Sequence, residues 1–270
     1  MSIPRALTIA GSAAQGSAGI QADLKTFQEL DIYGMSAVTA IVAGNSTTEQ
    51  RIFTQPVEAV EAQIHASFEH VGPDAVKTGM LFTEDIIKRT SELLKFYEVK
   101  NIVVDPVMIG KMGSQLLQDE AIETLIKQLL PSAAIITPNL EEAARILRQP
   151  VPESPEQMER AARELHNLGP EYVLIKGGSL KDHPAIDILF DGEEMTTLQS
   201  ERVQTIHTSG AGCTYSAAIT AELAKGKTME EAVFKAKDFV TSAIQHALSF
   251  ERGIGSTYHA AYRKHGKGAE

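Results

Sequence analysis

The sequence predicts an α/β fold: a mostly parallel sheet with helices on both faces and an antiparallel hairpin at one edge. Short β-branched runs alternate with amphipathic segments from end to end, the pattern left by crossover helices that join parallel strands. The strand runs are continuously apolar rather than alternating, as a sheet covered on both faces requires. The rhythm breaks once, at Ile186–Glu193, where Asp191-Gly192 between extended runs signals a hairpin.

Taken in order, the first strand is Ala6–Ala10, followed by a glycine-rich bend, Gly11–Gly19. A helix from Ile20 to Leu30 comes next, because Ile20, Leu24, Phe27 and Leu30 recur at helical spacing. The apolar run Ala37–Ala43 gives a second strand, then a helix Val57–His70, a strand Ala75–Lys77 and a helix Glu84–Tyr97. Asn101–Val104 is the strongest strand by β-branched content. Helix Glu120–Leu130, strand Ala134–Ile136, helices Glu141–Leu147 and Pro155–Leu168, and strand Tyr172–Lys176 continue the rhythm. Helices Cys213–Lys225 and Met229–Leu248 precede a Gly-rich basic tail whose end is expected to be poorly ordered. Pro150–Pro155 is the best boundary candidate, but the same rhythm resumes beyond it, so residues 1–270 are read as a single domain.

Thirty-five acidic against 25 basic side chains leave a net charge of −10, a field that repels nucleic acid and anionic lipid. The chain has no Trp, which also argues against a base-stacking platform. Cys213 is the single cysteine, so neither an intramolecular disulfide nor a multi-thiolate zinc site is available. The short apolar stretch Ala6–Ala10 falls below the roughly 7–15 residues of a signal-peptide core. No run reaches the ~18 apolar residues of a membrane span. The expectation is a cytoplasmic protein with a small-molecule partner and no membrane or nucleic-acid partner.

Ligands of open α/β sheets sit beyond the carboxyl ends of the strands, and five such places are polar or glycine-rich. Gly11–Gly19 fits neither the dinucleotide fingerprint nor the Walker pattern, since Ser17-Ala18 stand where Lys and Ser/Thr would be. It reads either as a tight turn or as a close backbone approach to a ligand. Thr208–Thr214 is a glycine bend feeding a helix, whose N–H groups suit phosphate oxygens. Cys213 in that first turn is expected to have a lowered pKa, or else to pack as a small apolar residue. Asp105-Pro106 and Thr137-Pro138-Asn139, with Glu142, present the oxygen ligands that Mg²⁺ prefers. Asn139 and Glu142 equally fit a helix capping box. Lys176-Gly177-Gly178 is either a phosphate-binding strand end or a solvated lysine before a loop.

Together these segments resemble the ribokinase-like superfamily, and more closely the hydroxymethylpyrimidine/phosphomethylpyrimidine kinase family with its pyridoxal-kinase branch. The resemblance spans nearly the whole chain and is most specific at Gly19–Phe27, Lys77–Leu81, Asp105–Met108, Thr137–Leu140 and Gly210–Thr214. It implies a ribokinase-like fold and an ATP-dependent kinase acting on the hydroxymethyl group of a small heteroaromatic. Gly210, Ala211 and Gly212 would form an anion hole, with Cys213 as general base or its substitute. Asn139, Glu142 and Asp105 would organise Mg²⁺ around ATP. Lys176, Gly177, Gly178 and Asp187 would lie along the nucleotide, and Gly11, Asp23, Gly44, Met80 and Val107 at the acceptor. A homodimer is what the family suggests.

The chain departs from that family at Ala13, Gly44 and Ser209, where relatives carry Asp, Gln and His, and at Gly110, where the pyridoxal-kinase branch has a second Cys. The leading expectation is phosphorylation of hydroxymethylpyrimidine and its monophosphate in thiamine biosynthesis. Pyridoxal or pyridoxine kinase is the alternative, and a non-catalytic nucleotide- or vitamin-binding protein the second. A dehydrogenase is disfavoured by the missing glycine fingerprint.

Overall fold

The computed structural model describes residues 3–110, 116–180 and 182–266. Its strands are β1 Arg5–Ala13, β2 Tyr33–Val42, β3 Ile52–Thr54, β4 Ala75–Thr78, β5 Ile102–Val104, β6 Ile135–Ile136, β7 Tyr172–Lys176, β8 Ala185–Phe190 and β9 Met195–Ser200. They form one sheet in the order β3-β2-β1-β4-β5-β6-β7-β8-β9. The run from β2 to β7 is parallel; β3 pairs antiparallel with β2, and β8 antiparallel with both β7 and β9. The mostly parallel sheet and its antiparallel hairpin are as the sequence predicts. The chain steps from β1 to β2 on one side of β1 and later to β4 on the other. That reversal opens a crevice above the carboxyl ends of β1 and β4.

The helices are α1 Ile20–Glu29, α2 Val57–His70, α3 Glu84–Phe96, α4 Asp119–Thr124, α5 Leu140–Leu147, α6 Pro155–His166, α7 Ala211–Ala224, α8 Met229–Gln245 and α9 Ala261–His265. Successive strand side chains point to opposite faces, so each strand feeds two cores. Ile102 and Val104 join α2, α3, α5 and α6 in one cluster, while Val103 joins α1, α7 and α8 in the other. In α7 the buried small residues Ala217, Ala218 and Ala221 let the helix lie close to the sheet. This closeness sets its N-terminus beside the strand ends. Among the described residues no helix is long and apolar enough to cross a membrane.

Two local expectations are corrected, and two elements were not anticipated. The bend expected from Gly11 begins only after Ala13, because Gly11, Ser12 and Ala13 continue β1 by pairing with Ala40, Ile41 and Val42 beyond a register shift. β3, Ile52–Thr54, is too short a run to signal a strand; β2 templates it. The continuous helix expected over 120–130 is α4, then a π turn at Leu125–Leu129 and a 3-10 turn at Leu130–Ser132. Pro131 has no N–H to donate and cannot continue an α-helix. The basic tail contains α9, and its end, 267–270, lies outside the described residues.

Candidate active site

The strand ends and the N-termini of α5 and α7 enclose a cleft of about 1180 Å³. It has two ends. At one, Asp105, Asn139, Glu142, Lys176, Gly178 and Asp187 line the wall together with Gly210–Cys213; at the other, Gly11, Gly44, Met80 and Val107 do so. The sequence-derived residues therefore converge on one cavity, with two exceptions. Asp23 is fully buried beneath the floor, and Gly177 is packed behind the wall, where an added Cβ would lie 2.3 Å from the Ile186 carbonyl oxygen.

The first turn of α7 has N–H groups with no intrahelical acceptor, and its cap, Gly210, holds φ 83°. A Cβ there would fall 1.8 Å from the Ser17 carbonyl oxygen. Glycine is thus required both by the left-handed backbone and by the loop that docks on it. That docking is completed by the Ser17 and Ser209 hydroxyls at 2.9 Å and by the Gly19 N–H donating to Cys213 Sγ at 3.4 Å. Lys176 Nζ lies 3.3 Å from where a Cβ on Gly212 would be, so an ammonium overhangs the helix N-terminus. Ammonium and helix N-terminus both favour an anion at this spot.

Charges of alternating sign run below the cleft. Lys176 Nζ meets Asp105 Oδ1 at 2.9 Å, and Lys77 Nζ meets Asp23 Oδ2 at 3.0 Å. Asp105 also accepts from Thr137 at 3.2 Å and from Ser216 at 3.0 Å. Burial opposes its ionisation, but the Lys176 and Lys77 ammoniums outweigh that and hold the carboxyl below the usual range. Burial likewise opposes the charge on Lys176, and Asp105 and Glu142 overcome it and raise its pKa. Glu142 is pushed up to about 7 by burial, with Lys176 pulling the other way and Asp105 adding to the rise. Asp23, burdened chiefly by burial, is also raised despite Lys77.

The lowered thiol pKa expected at Cys213 is corrected. Burial pushes it up to about 11, more than the nearby Lys77 ammonium draws it down. Desolvation therefore outweighs the helix-end position, and the resting group is a thiol. Asn139 and Glu142 do form the capping box: the Asn139 side chain accepts from Glu142 N–H at 2.9 Å, and Glu142 Oε2 accepts from Asn139 N–H at 2.8 Å. The capping-box reading of that pair is thus observed, and the capped Glu142 also lines the cleft. Asp187 is not a free nucleotide ligand. One oxygen accepts from Gly177 N–H at 3.0 Å and the other pairs with Lys237 at 2.7 Å, which fixes the loop after β7.

Sequence reasoning gave no role to four residues, though Lys77 opened one of its specific segments. Lys77 was legible as a lysine inside a fully buried strand, a placement that requires a partner. Lys237 sits on α8 with no local signal. Arg202 donates to the carbonyls of Gly178, Leu180 and His183 and so holds that loop. Arg51, across the β2–β3 turn, lines the acceptor end.

For a divalent cation the donor set is sparse. Among the described residues no group of three or more His, Cys, Asp and Glu side chains is placed to hold a metal. Mg²⁺ needs no such cage, because it keeps waters and takes ligands from phosphates, with one or two protein carboxylates. Glu142 lines the cleft beside the anion site and, among the described residues, accepts only neutral backbone N–H groups. A bound cation would favour its ionised form over the pKa of about 7 that burial gives it, whereas the Asp105 oxygens are already engaged by the Lys176 ammonium and by Thr137 and Ser216.

Comparison with known proteins identifies the family. The profile of the phosphomethylpyrimidine kinase family matches residues 14–258. Pyridoxine kinase of Bacillus subtilis is 46% identical, covering 97% of this chain and 98% of its own. The hydroxymethylpyrimidine/phosphomethylpyrimidine kinase of the same organism is 43% identical over 98% and 97%. Among solved structures, an ADP complex of Bacillus subtilis pyridoxal kinase superposes with a TM-score of 0.92 at 45% identity, covering 97% of this chain and 99% of that one. Staphylococcus aureus pyridoxal kinase with AMP-PCP and pyridoxal gives 0.91 at 42% identity, over 98% and 96%.

Proposed function

The chain belongs to the phosphomethylpyrimidine kinase family and is an ATP-dependent small-molecule kinase; we propose that its acceptor is the hydroxymethyl group of a pyridine-type vitamer such as pyridoxine or pyridoxal. One observation carries the choice of acceptor. At the acceptor end Gly44 has no side chain, and the Asn45 amide makes its hydrogen bonds inside its own turn, to Ala43, Thr47 and Thr48. An aminopyrimidine presents N–H donors that want a side-chain acceptor, and these two positions supply none. A pyridine bearing a phenolic oxygen makes no such demand. The pyrimidine reading in thiamine biosynthesis, which led at the level of sequence, becomes the competing outcome.

In this reading the α7 N-terminus and Lys176 hold the phosphoryl oxygens, and the buried Asp105 keeps Lys176 aimed at them. In-line phosphoryl transfer depends on such positioning and charge stabilisation more than on covalent chemistry. Mg²⁺, when bound through Glu142 and the phosphates, supplies further charge neutralisation. Steady-state kinetics with Mg-ATP and pyridoxine, pyridoxal or hydroxymethylpyrimidine tests the proposal. A higher kcat/KM for the pyridines is expected. A tenfold preference for the pyrimidine overturns it.

A further inference from the structure

The hairpin between β2 and β3 overhangs the acceptor end, and Gly44, Asn45, Ser46, Arg51 and Ile52 line the cleft there. Its two limbs are tied by the Ala43 N–H donating to the Arg51 carbonyl oxygen at 2.8 Å. Among the described residues beyond its chain neighbours, the one heavy atom within 4 Å of a Cβ built on Gly44 is Arg51 Cδ, at 3.9 Å. The arginine stem thus lies over the space that a side chain at position 44 would fill. Arg51 is the only charged one of these lining residues, the hairpin's Glu49 being outside the cleft lining, and the carboxylates of the cleft (Asp105, Glu141, Glu142, Asp187 and Glu201) all stand at the other end.

The Arg51 guanidinium also has no hydrogen-bonding or ion-pair partner among the described residues, in a chain whose net charge is −10. Arg202, in the same cleft, contrasts with it, for its donors are satisfied by backbone carbonyls. A guanidinium offers donors only, in a planar fork that matches an anionic oxygen. Resting on the kinase reading above, we propose that Arg51 is a specificity-determining residue, pairing with an anionic oxygen carried by the acceptor. Two sources share that chemistry: the phenolic oxygen of a pyridine ring, and the phosphate ester of an already phosphorylated acceptor.

The test is the ratio of kcat/KM values between acceptors in wild type, Arg51→Ala and Arg51→Lys. The acceptors are pyridoxine, its analogue lacking the phenolic oxygen, hydroxymethylpyrimidine and hydroxymethylpyrimidine monophosphate. Arg51→Ala is expected to lower the ratio of pyridoxine to its deoxy analogue at least tenfold, chiefly through KM, and Arg51→Lys to restore part of it. A selective loss on the monophosphate instead identifies the ester as the oxygen recognised and supports the same role. Equal losses on every acceptor, or no loss on any, overturn the inference while leaving the kinase reading intact. A wild type that phosphorylates none of the four overturns the functional reading and this inference with it.

Discussion

The two ends of the cleft are made of opposite materials. The transfer end is a buried lattice in which Glu142, Lys176, Asp105, Lys77 and Asp23 alternate in sign; the inner three are held charged by their neighbours' field, while burial raises the two outer carboxylates. The acceptor end is glycine, small apolar residues and an exposed hairpin carrying one unpaired cation. Buried charges tolerate no missing partner, whereas an exposed cation is solvated and replaceable. On the proposed reading, the chemistry common to every acceptor is held in the part that tolerates no missing partner, and the choice of acceptor in the part that can change at little cost to the fold.

Lys77→Met tests that contrast most severely. It would leave the Asp23 carboxylate buried with only Thr8 for company, and Asp23 Oδ1 already lacks a hydrogen-bond partner. Breaking one side of a buried ion pair costs about 3–5 kcal/mol. Urea unfolding should show that loss, with much of it recovered in the double variant Lys77→Met/Asp23→Leu. Arg51→Met should stay within about 0.5 kcal/mol of wild type. Equal effects at the two ends would remove the distinction.

Acidification should act on the same side of the molecule. His259 is buried, shares a hydrogen bond with Thr214 on α7 at 3.1 Å, and has its pKa pulled down to about 4, by burial first and then by Lys25. Between pH 6.5 and 4 the unfolded chain binds a proton there that the native state does not, so stability falls as pH falls through that window. The full loss is roughly 3 kcal/mol. His259→Gln should flatten the pH dependence of the urea midpoint; an unchanged slope would show that other groups govern it.

A smaller effect is expected at Cys213. Replacing it by Ser keeps the shape of the first turn of α7 but substitutes a far weaker acid. If the thiol takes or holds the acceptor's proton, kcat falls more than tenfold, a barrier rise of about 1.4 kcal/mol or more, with little change in unfolding midpoint. Undiminished turnover would confine the transfer machinery to Lys176, Glu142 and the α7 N-terminus.

The same division explains what the sequence disclosed. Parallel strands, crossover helices and the hairpin at Asp191-Gly192 follow from local periodicity, so the architecture was legible, while β3, stabilised only by pairing with β2, was not. At the transfer end the functional groups are polar residues set at the ends of apolar strands, and contrast with their surroundings exposes them. Lys77 was visible in its segment, but its pairing with Asp23 was not, because that partner is 54 positions away in the chain. Asp23 was assigned to the acceptor because burial cannot be read from a polar letter in a helix. The Cys213 pKa was misjudged for a related reason: the helix end is a local feature, but the desolvation that outweighs it is tertiary. Arg51 gave no signal at all, being one more charged residue in a polar turn until folding laid it over Gly44.

Gly44→Gln is the mildest perturbation and the most informative about the acceptor end. The backbone of Gly44 is not in the left-handed region, and an added Cβ meets only Arg51 Cδ, at ordinary van der Waals distance. The substitution should therefore change stability by less than about 0.5 kcal/mol. Its amide oxygen would give this end a side-chain acceptor, the group an aminopyrimidine requires and a pyridine with a phenolic oxygen does not. Sites that hydrogen-bond their substrate discriminate by leaving buried polar groups unpaired in the wrong complex. The expected result is a threefold to tenfold shift in relative kcat/KM toward hydroxymethylpyrimidine, at most about 1.4 kcal/mol. Combined with Arg51→Ala the shift should grow, because the glutamine then gains room and the competing cation is gone. If neither variant moves the ratio, the acceptor is read by backbone groups of β1 and β2, and the hairpin serves only to close the cleft.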